Sequence, residues 1–273
     1  MEQIRSRDMV ITGIPRSGTS YLCSLLHRFE DCVVLNEPGE VLLILRSNPT
    51  AEGIRQWYDS TRIKILEHRP ILNKVKDGRL VQDTIECHEA SLYSPRPATR
   101  DFALGTKNTL AYLARLPGLK AAMHSATFVA AVRSPFETIA SWKRSFPHLR
   151  DSTGVGYPVG SLHDEALDHD QRRDLERIAH IADAATRRAE FWNYLAGLIL
   201  AHAEQTVLLR YSDLVLAPAE ALEPIVQRIS LGALREPFRP SALSQDHLSL
   251  LDANDRAAIQ CVCSDRAEAL GVM

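Results

Sequence analysis

Apolar runs of membrane-spanning length are missing from this 273-residue chain, so no segment reads as a transmembrane helix. A surplus of basic charge is missing too: the formal net charge is −2, which provides no basic field for nucleic acid. The cysteines Cys23, Cys32, Cys87, Cys261 and Cys263 are odd in number and include no C-x-x-C pair. That excludes a disulfide framework and a zinc knuckle, and it predicts buried or partly buried thiols in a reducing compartment. No signal peptide opens the sequence, because MEQIRSRD is polar and leads directly into an apolar strand; the expected location is cytoplasmic. Internal repeats and low-complexity tracts are absent. Ten histidines occur, but no spacing links His88, His124 or His163 to the motifs below, and they read as surface residues.

What is present begins with MVITGIPRSGTS at residues 9 to 20. An apolar strand enters Gly13, a tight loop follows, and a helix starts near Gly18. Backbone N–H groups and a helix N-terminus arranged in this way cradle a phosphate. The spacing Gly13-x-x-x-x-Gly18 matches a Walker A loop, yet Thr19 and Ser20 stand where that motif requires Lys and then Ser/Thr. The cation of the loop is instead Arg16, inside the turn. A loop without the usual lysine points to a donor other than ATP.

Length and the even spread of apolar residues favour one α/β domain over residues 1–273, with insertions at about 40–100 and 147–175. Strands are expected at about 8–13, 32–35, 101–107, 126–132 and 206–211. Helices are expected at about 18–29, 110–116, 175–204 and 218–229, with a last one from Asp252 that stops before Gly271. Ser134-Pro135-x-Glu137 reads as a helix start with Ser as cap, Pro at the first position and Glu at the third. Residues 147–175 have no period and read as a mobile loop or lid. Asn36-Glu37-Pro38 leaves Glu37 at the carboxyl end of a strand, the edge where open α/β sheets bind ligands.

GIPRSGTSYL resembles the 5′-phosphosulfate loop of sulfotransferases that use 3′-phosphoadenosine 5′-phosphosulfate (PAPS). VRSPFETIASW resembles the element with which those enzymes hold the ribose 3′-phosphate through an Arg and a Ser eight residues apart, here Arg133 and Ser141. A guanidinium takes phosphate bidentately and a hydroxyl adds a donor. A nucleoside triphosphatase would place a metal-binding Asp at the position of Arg133. The resemblance implies a three-layer P-loop-type α/β fold with a central, mainly parallel sheet, helical and loop insertions on the acceptor side, PAPS as donor, adenosine 3′,5′-bisphosphate (PAP) as product, and no metal.

The PRSGT loop is similar to those of the tyrosylprotein, carbohydrate and bacterial glycolipid branches, in which a Glu after the next strand acts as base. That resemblance implies Glu37 as base, with Glu40 in reserve, and Lys107 as a cation for the leaving oxygen beside Arg16. Ser17, Gly18, Thr19 and Ser20 would bind the 5′-phosphate, and Tyr211 would lie near the nucleotide. Lys143 and Arg144 are weaker phosphate candidates. The glycine-rich RKGxxGxW loop of the cytosolic branch is absent, which leaves 239–245 to cover the nucleotide. The acceptor is expected to be a small molecule, sugar or glycolipid, with Trp57, Tyr58, Tyr93, Phe146 and Tyr157 available to stack on it. The rival readings are a kinase or phosphotransferase with an atypical loop, and a non-catalytic nucleotide-binding domain of the same fold.

Overall fold

The computed structural model describes residues 7–47, 51–76, 79–80, 90–145, 147–151, 159–243 and 247–273. Cys87, His88, Phe146 and Tyr157, named above, lie outside them. The central sheet is built from β1 (Asp8–Gly13), β2 (Cys32–Asn36), β3 (Ala103–Lys107), β4 (Thr127–Val132) and β5 (Val207–Arg210), all parallel. Their order is 2-3-1-4-5, so β1 lies in the middle, with Ile11 opposite Lys107 on one side and Val129 on the other.

Parallel strands need long crossovers, and here these carry helices to both faces. Labelled below are α1 (Thr19–Leu26), α2 (Gly39–Ser47), α3 (Glu52–Leu66), α4 (Pro135–Ser145), α5 (Ala184–Leu200), α6 (Tyr211–Leu216), α7 (Pro218–Ile229) and α8 (Ala253–Ala269). Covered on both sides, β1, β2 and β4 are buried along their length, which is why they read as largely apolar runs. Side chains alternate between two cores: Met9, Ile11 and Val34 pack with Leu22, Leu25 and Ile225, while Val10, Val33 and Leu35 pack with Trp142, Trp192 and Ile259. This is the three-layer α/β arrangement expected from the sequence.

Several local readings are corrected. Region 147–175 is not an aperiodic loop throughout: Pro147–Asp151 is helical, and another helix spans His169–Ala179. That helix starts where Asp168 accepts the Gln171 N–H and the Gln171 side chain returns to Asp168 N–H, a capping box. Before it, Arg115 grips Asp164 through both guanidinium nitrogens at 2.5 and 2.8 Å. Burial pushes the Asp164 pKa up, but the Arg115 hydrogen bonds and the N–H groups of Gly160 and Ala166 outweigh it and leave the carboxyl below its ordinary value.

The long helix expected over 175–204 is two helices, because Asp183 caps α5 through the Thr186 N–H. The helix expected at 110–116 divides into Leu110–Leu113 and Leu116–Ala122, the second with Pro117 in its first turn. Cys261 is exposed, unlike the buried Cys23, Cys32 and Cys263.

Residues 52–93 position part of the site. Here Ile71–Asn73 pairs with Ser91–Tyr93, next to the two-residue strands Val75–Lys76 and Arg79–Leu80. Tyr58 of α3 is fully buried and donates to Met9 O at 2.6 Å, with the hydroxyls of Thr106 and Tyr112 completing its network. The expectation that Tyr58 stacks on an acceptor therefore fails.

Candidate active site

All five parallel strands end at a residue singled out from the sequence. β1 ends at Gly13 and the loop, β2 is followed by Glu37, β3 ends at Lys107, β4 is followed by Arg133, and β5 by Tyr211. Parallel order aligns these carboxyl ends along one edge, which concentrates the polar groups of distant segments there.

The loop is shaped by contacts that exclude larger residues. A Cβ on Gly13 would run into the Ala131 carbonyl of β4, and one on Gly18 would enter the Tyr211 ring. Gly18 has φ 84°, a left-handed conformation that glycine adopts without a steric penalty. Arg16 reaches φ 72° and Glu37 φ 52°, two non-glycine residues held in a backbone region that carries strain and recurs at functional sites. Trp142 of α4 donates its indole N–H to Pro15 O at 2.8 Å and fixes the loop from behind.

Arg16 and Ser141 meet, with Nε 3.2 Å from Oγ, so the loop and α4 are joined through their polar side chains. Arg133 lies with its guanidinium carbon 4.2 Å from the centroid of the Tyr211 ring, a cation–π stack, and 3.4 Å from Glu137. Tyr211 is the first residue of α6 rather than the end of a strand, and its ring thus spans from Gly18 to Arg133.

On the other side of the loop, Lys107 Nζ lies 2.7 Å from Glu37 Oε1 and 3.2 Å from Ser20 Oγ. Lys74 Nζ approaches the second carboxylate oxygen of Glu37 to 2.5 Å. Lys107 is 2% exposed and Lys74 10%, whereas Glu37 keeps 29% of its side chain accessible. Lys74 is the residue that motifs do not disclose, since ILNKVKDG carries no signature. Asn73 brings it there: its amide donates to Val34 O and its carbonyl oxygen accepts from Asn36 N–H and Lys74 N–H, each at 2.9 Å.

The fit of an anionic nucleotide end can be judged from groups on the floor of the site. Ser17 Oγ is buried and has no hydrogen-bond partner among the described residues; neither has the buried Asn36 amide. A buried hydroxyl left unpaired is costly unless a ligand completes it. The residues present fit a phosphate or sulfate group.

Other expected residues are elsewhere. Lys143 pairs with Asp252 and Asp255, and Arg144 contacts His247, so both face the C-terminal segment. His124 and His163 are exposed, as expected. Glu40 and Trp57 line a separate pocket of about 270 Å³ with Leu35, Leu72 and Leu92. Tyr93 is half-buried against His27. Of 239–245, residues 239–243 are extended and largely exposed, with Ser241 N–H donating to Val215 O, and 244–245 lie outside the described residues. No described helix is long and apolar enough to cross a membrane.

Among solved structures, the chain is similar to the sulfotransferase STF9 from Mycobacterium avium, at 13% identity and a TM-score of 0.49, over 100% of this chain and 79% of that one. It is also similar to the sulfotransferase STF1 from Mycobacterium tuberculosis H37Rv, at 16% identity and a TM-score of 0.39, over 93% and 71% of the two chains. No curated protein matches the sequence. Residues 8–233, from the first strand to just past α7 and thus through every segment of the site, match the sulfotransferase family, and the chain belongs to it.

Proposed function

We propose that the protein transfers a sulfuryl group from PAPS to a hydroxyl of a small molecule, sugar or glycolipid, with Glu37 as general base. One observation carries the reading: a single buried ammonium, Lys107, touches both the loop, through Ser20, and the carboxylate of Glu37. Donor end, leaving-group cation and base would then be neighbours.

In this reading the loop N–H groups, Ser17, Gly18, Thr19 and Ser20 hold the 5′-phosphate end, while Arg133 and Ser141 hold the 3′-phosphate and Tyr211 lies beside the nucleotide. When bound, PAPS supplies a sulfuryl group whose bond to the 5′-phosphate oxygen breaks, the electron pair staying on that oxygen, as the acceptor oxygen bonds to sulfur. Glu37 takes the proton of the acceptor hydroxyl. Lys107 and Arg16 offset the negative charge that develops on the departing oxygen. Sulfuryl carries less charge than a γ-phosphoryl, so side-chain cations suffice for this role. The domain is read as a single unit with its acceptor side formed by the insertions, and the cell compartment as cytoplasmic.

Calorimetry with PAP, ADP and ATP tests the donor. The expected result is a preference for PAP without added metal, lost in Arg133→Ala. Equal affinity for ADP would remove the 3′-phosphate site, and Mg²⁺-dependent ATP turnover would favour a phosphotransferase. Release of PAP from PAPS that persists undiminished in Glu37→Gln would remove the base.

A further inference from the structure

We propose that Lys74 is a positioning residue for the transfer, the ammonium that keeps Glu37 charged and in place when Lys107 turns to the leaving oxygen. The inference rests on the reading of Glu37 as base. It begins from a conflict in the geometry. Lys107 is bonded at once to Glu37 and to Ser20 of the loop, and the reading requires its charge to act on the loop side. If Lys107 were the sole counter-ion, its engagement with the donor would uncover the carboxylate at the moment it must accept a proton.

Lys74 resolves this by taking the opposite oxygen. Its Nζ lies on Oε2, whereas Lys107 holds Oε1, so either lysine can leave without displacing the other. Among the described residues, the charged groups that face the carboxylate include Lys107, from β3, and Lys74, between the strands Ile71–Asn73 and Val75–Lys76; Glu40, in the first turn of α2, is exposed. Lys74 is also held rigidly for a lysine. Asn73 ties the backbone of Lys74 to that of β2 through three hydrogen bonds, at Val34 O, Asn36 N–H and Lys74 N–H. The segment Ile71–Asn73 is thus fastened to the strand that presents the base, which places the Lys74 ammonium beside Glu37. A buried cation bonded to the base fits a residue that acts through Glu37.

The test reads Glu37 directly and needs no known acceptor. Protein labelled at the glutamate side-chain carboxyl carbon is titrated by carbon NMR, with Glu37→Gln identifying the resonance. In Lys74→Met the Glu37 midpoint should move up by about one pH unit or more, since a nearby cation lowers a carboxyl pKa by about 1–3 units. Lys74→Arg should restore it. With PAPS and a panel of hydroxyl acceptors or water, PAP release by Lys74→Met should fall about tenfold near the old midpoint, with its acid limb displaced upward and the KM for PAPS unchanged. Thermal melting checks that each variant folds, and Lys74→Gln provides a polar replacement if Lys74→Met does not. An unmoved midpoint and acid limb would overturn the proposal. Loss of activity in Glu37→Gln alongside an inert Lys74→Met would refute only the role of Lys74, whereas full activity in Glu37→Gln would refute the base itself.

Discussion

Two carboxylates in this protein each hold two cations, yet their surroundings differ. Asp255, fully buried, accepts from Arg188 on one oxygen and from Lys143 on the other, and it also closes a capping box with Asp252 at the start of α8. It joins α4, α5 and α8, and no part of its side chain reaches solvent. Glu37 is held by Lys107 and Lys74 but sits on left-handed backbone at the open end of β2, with 29% of its side chain exposed. Charge composition is the same in both. Access to a reactant distinguishes a group placed to exchange a proton from one that locks three helices together.

The contrast is broken most directly at Glu37. Glu37→Gln keeps the shape and one acceptor oxygen while removing the proposed base, so PAP release with acceptor should fall about 10²–10⁴-fold, the range for a general base. The melting temperature should fall as well, because Lys107 and Lys74 lose their counter-charge, but by less than in Asp255→Ala, because the glutamine oxygen still accepts a hydrogen bond and Glu37 is partly exposed. A large loss of melting temperature with retained turnover would make Glu37 a second Asp255.

Asp255→Ala is the converse. Removing one partner of a buried cluster leaves Arg188 and Lys143 uncompensated, at a cost of about 3–5 kcal/mol. Denaturant unfolding should record that loss, while calorimetry on the folded protein at low temperature should give unchanged PAP affinity. Weakened PAP binding would mean that α4 transmits the damage through Trp142 to the loop.

The same contrast separates what the sequence discloses from what it hides. Gly13, Glu37, Lys107 and Arg133 are legible because each stands where an apolar strand ends, so local pattern alone places it at the sheet edge. Lys74 is not legible, since its place depends on the Asn73 side chain bridging to β2, a contact 37 residues away in sequence for Asn36. Tyr58 deceives for a related reason: an aromatic in an irregular region suggests a surface ring, whereas its hydroxyl is paired with Met9 O and Thr106 inside the core. The break between the helices at Asp183 is hidden because the apolar stripe continues through Ile181 to Ala185, and only the cap hydrogen bond marks the new start.

Arg133 tests whether a partly paired cation can still serve a ligand. Its stack on Tyr211 orients the guanidinium and its contact with Glu137 is long, at 3.4 Å, which leaves it able to engage a phosphate. Arg133→Ala should weaken PAP by about 10–100-fold, corresponding to about 1.5–3 kcal/mol for a hydrogen bond to a charged group, and leave ADP unaffected. Competition calorimetry distinguishes this from a general loss of nucleotide binding, which would identify Arg133 as a support for Tyr211 instead.

The smallest effect concerns a third carboxylate, Asp164, which shares the burial of Asp255 but has a single cation. Burial raises its pKa and the Arg115 hydrogen bonds with the Gly160 and Ala166 N–H groups lower it, with a net depression. On acidification the unfolded chain, with an ordinary carboxyl near pKa 3.9, therefore takes up this proton before the native state does. The stabilisation is fully present above about pH 5 and is lost as the pH falls through the depressed native value. Asp164→Asn has nothing to titrate at this position. Melting temperatures from pH 6 to pH 3 should show the gap between wild type and Asp164→Asn widest at the neutral end and narrowing below about pH 4. A gap that stays constant would mean that the Arg115 contact contributes only shape, and that charge in the sealed regions matters less than the Asp255 cluster implies.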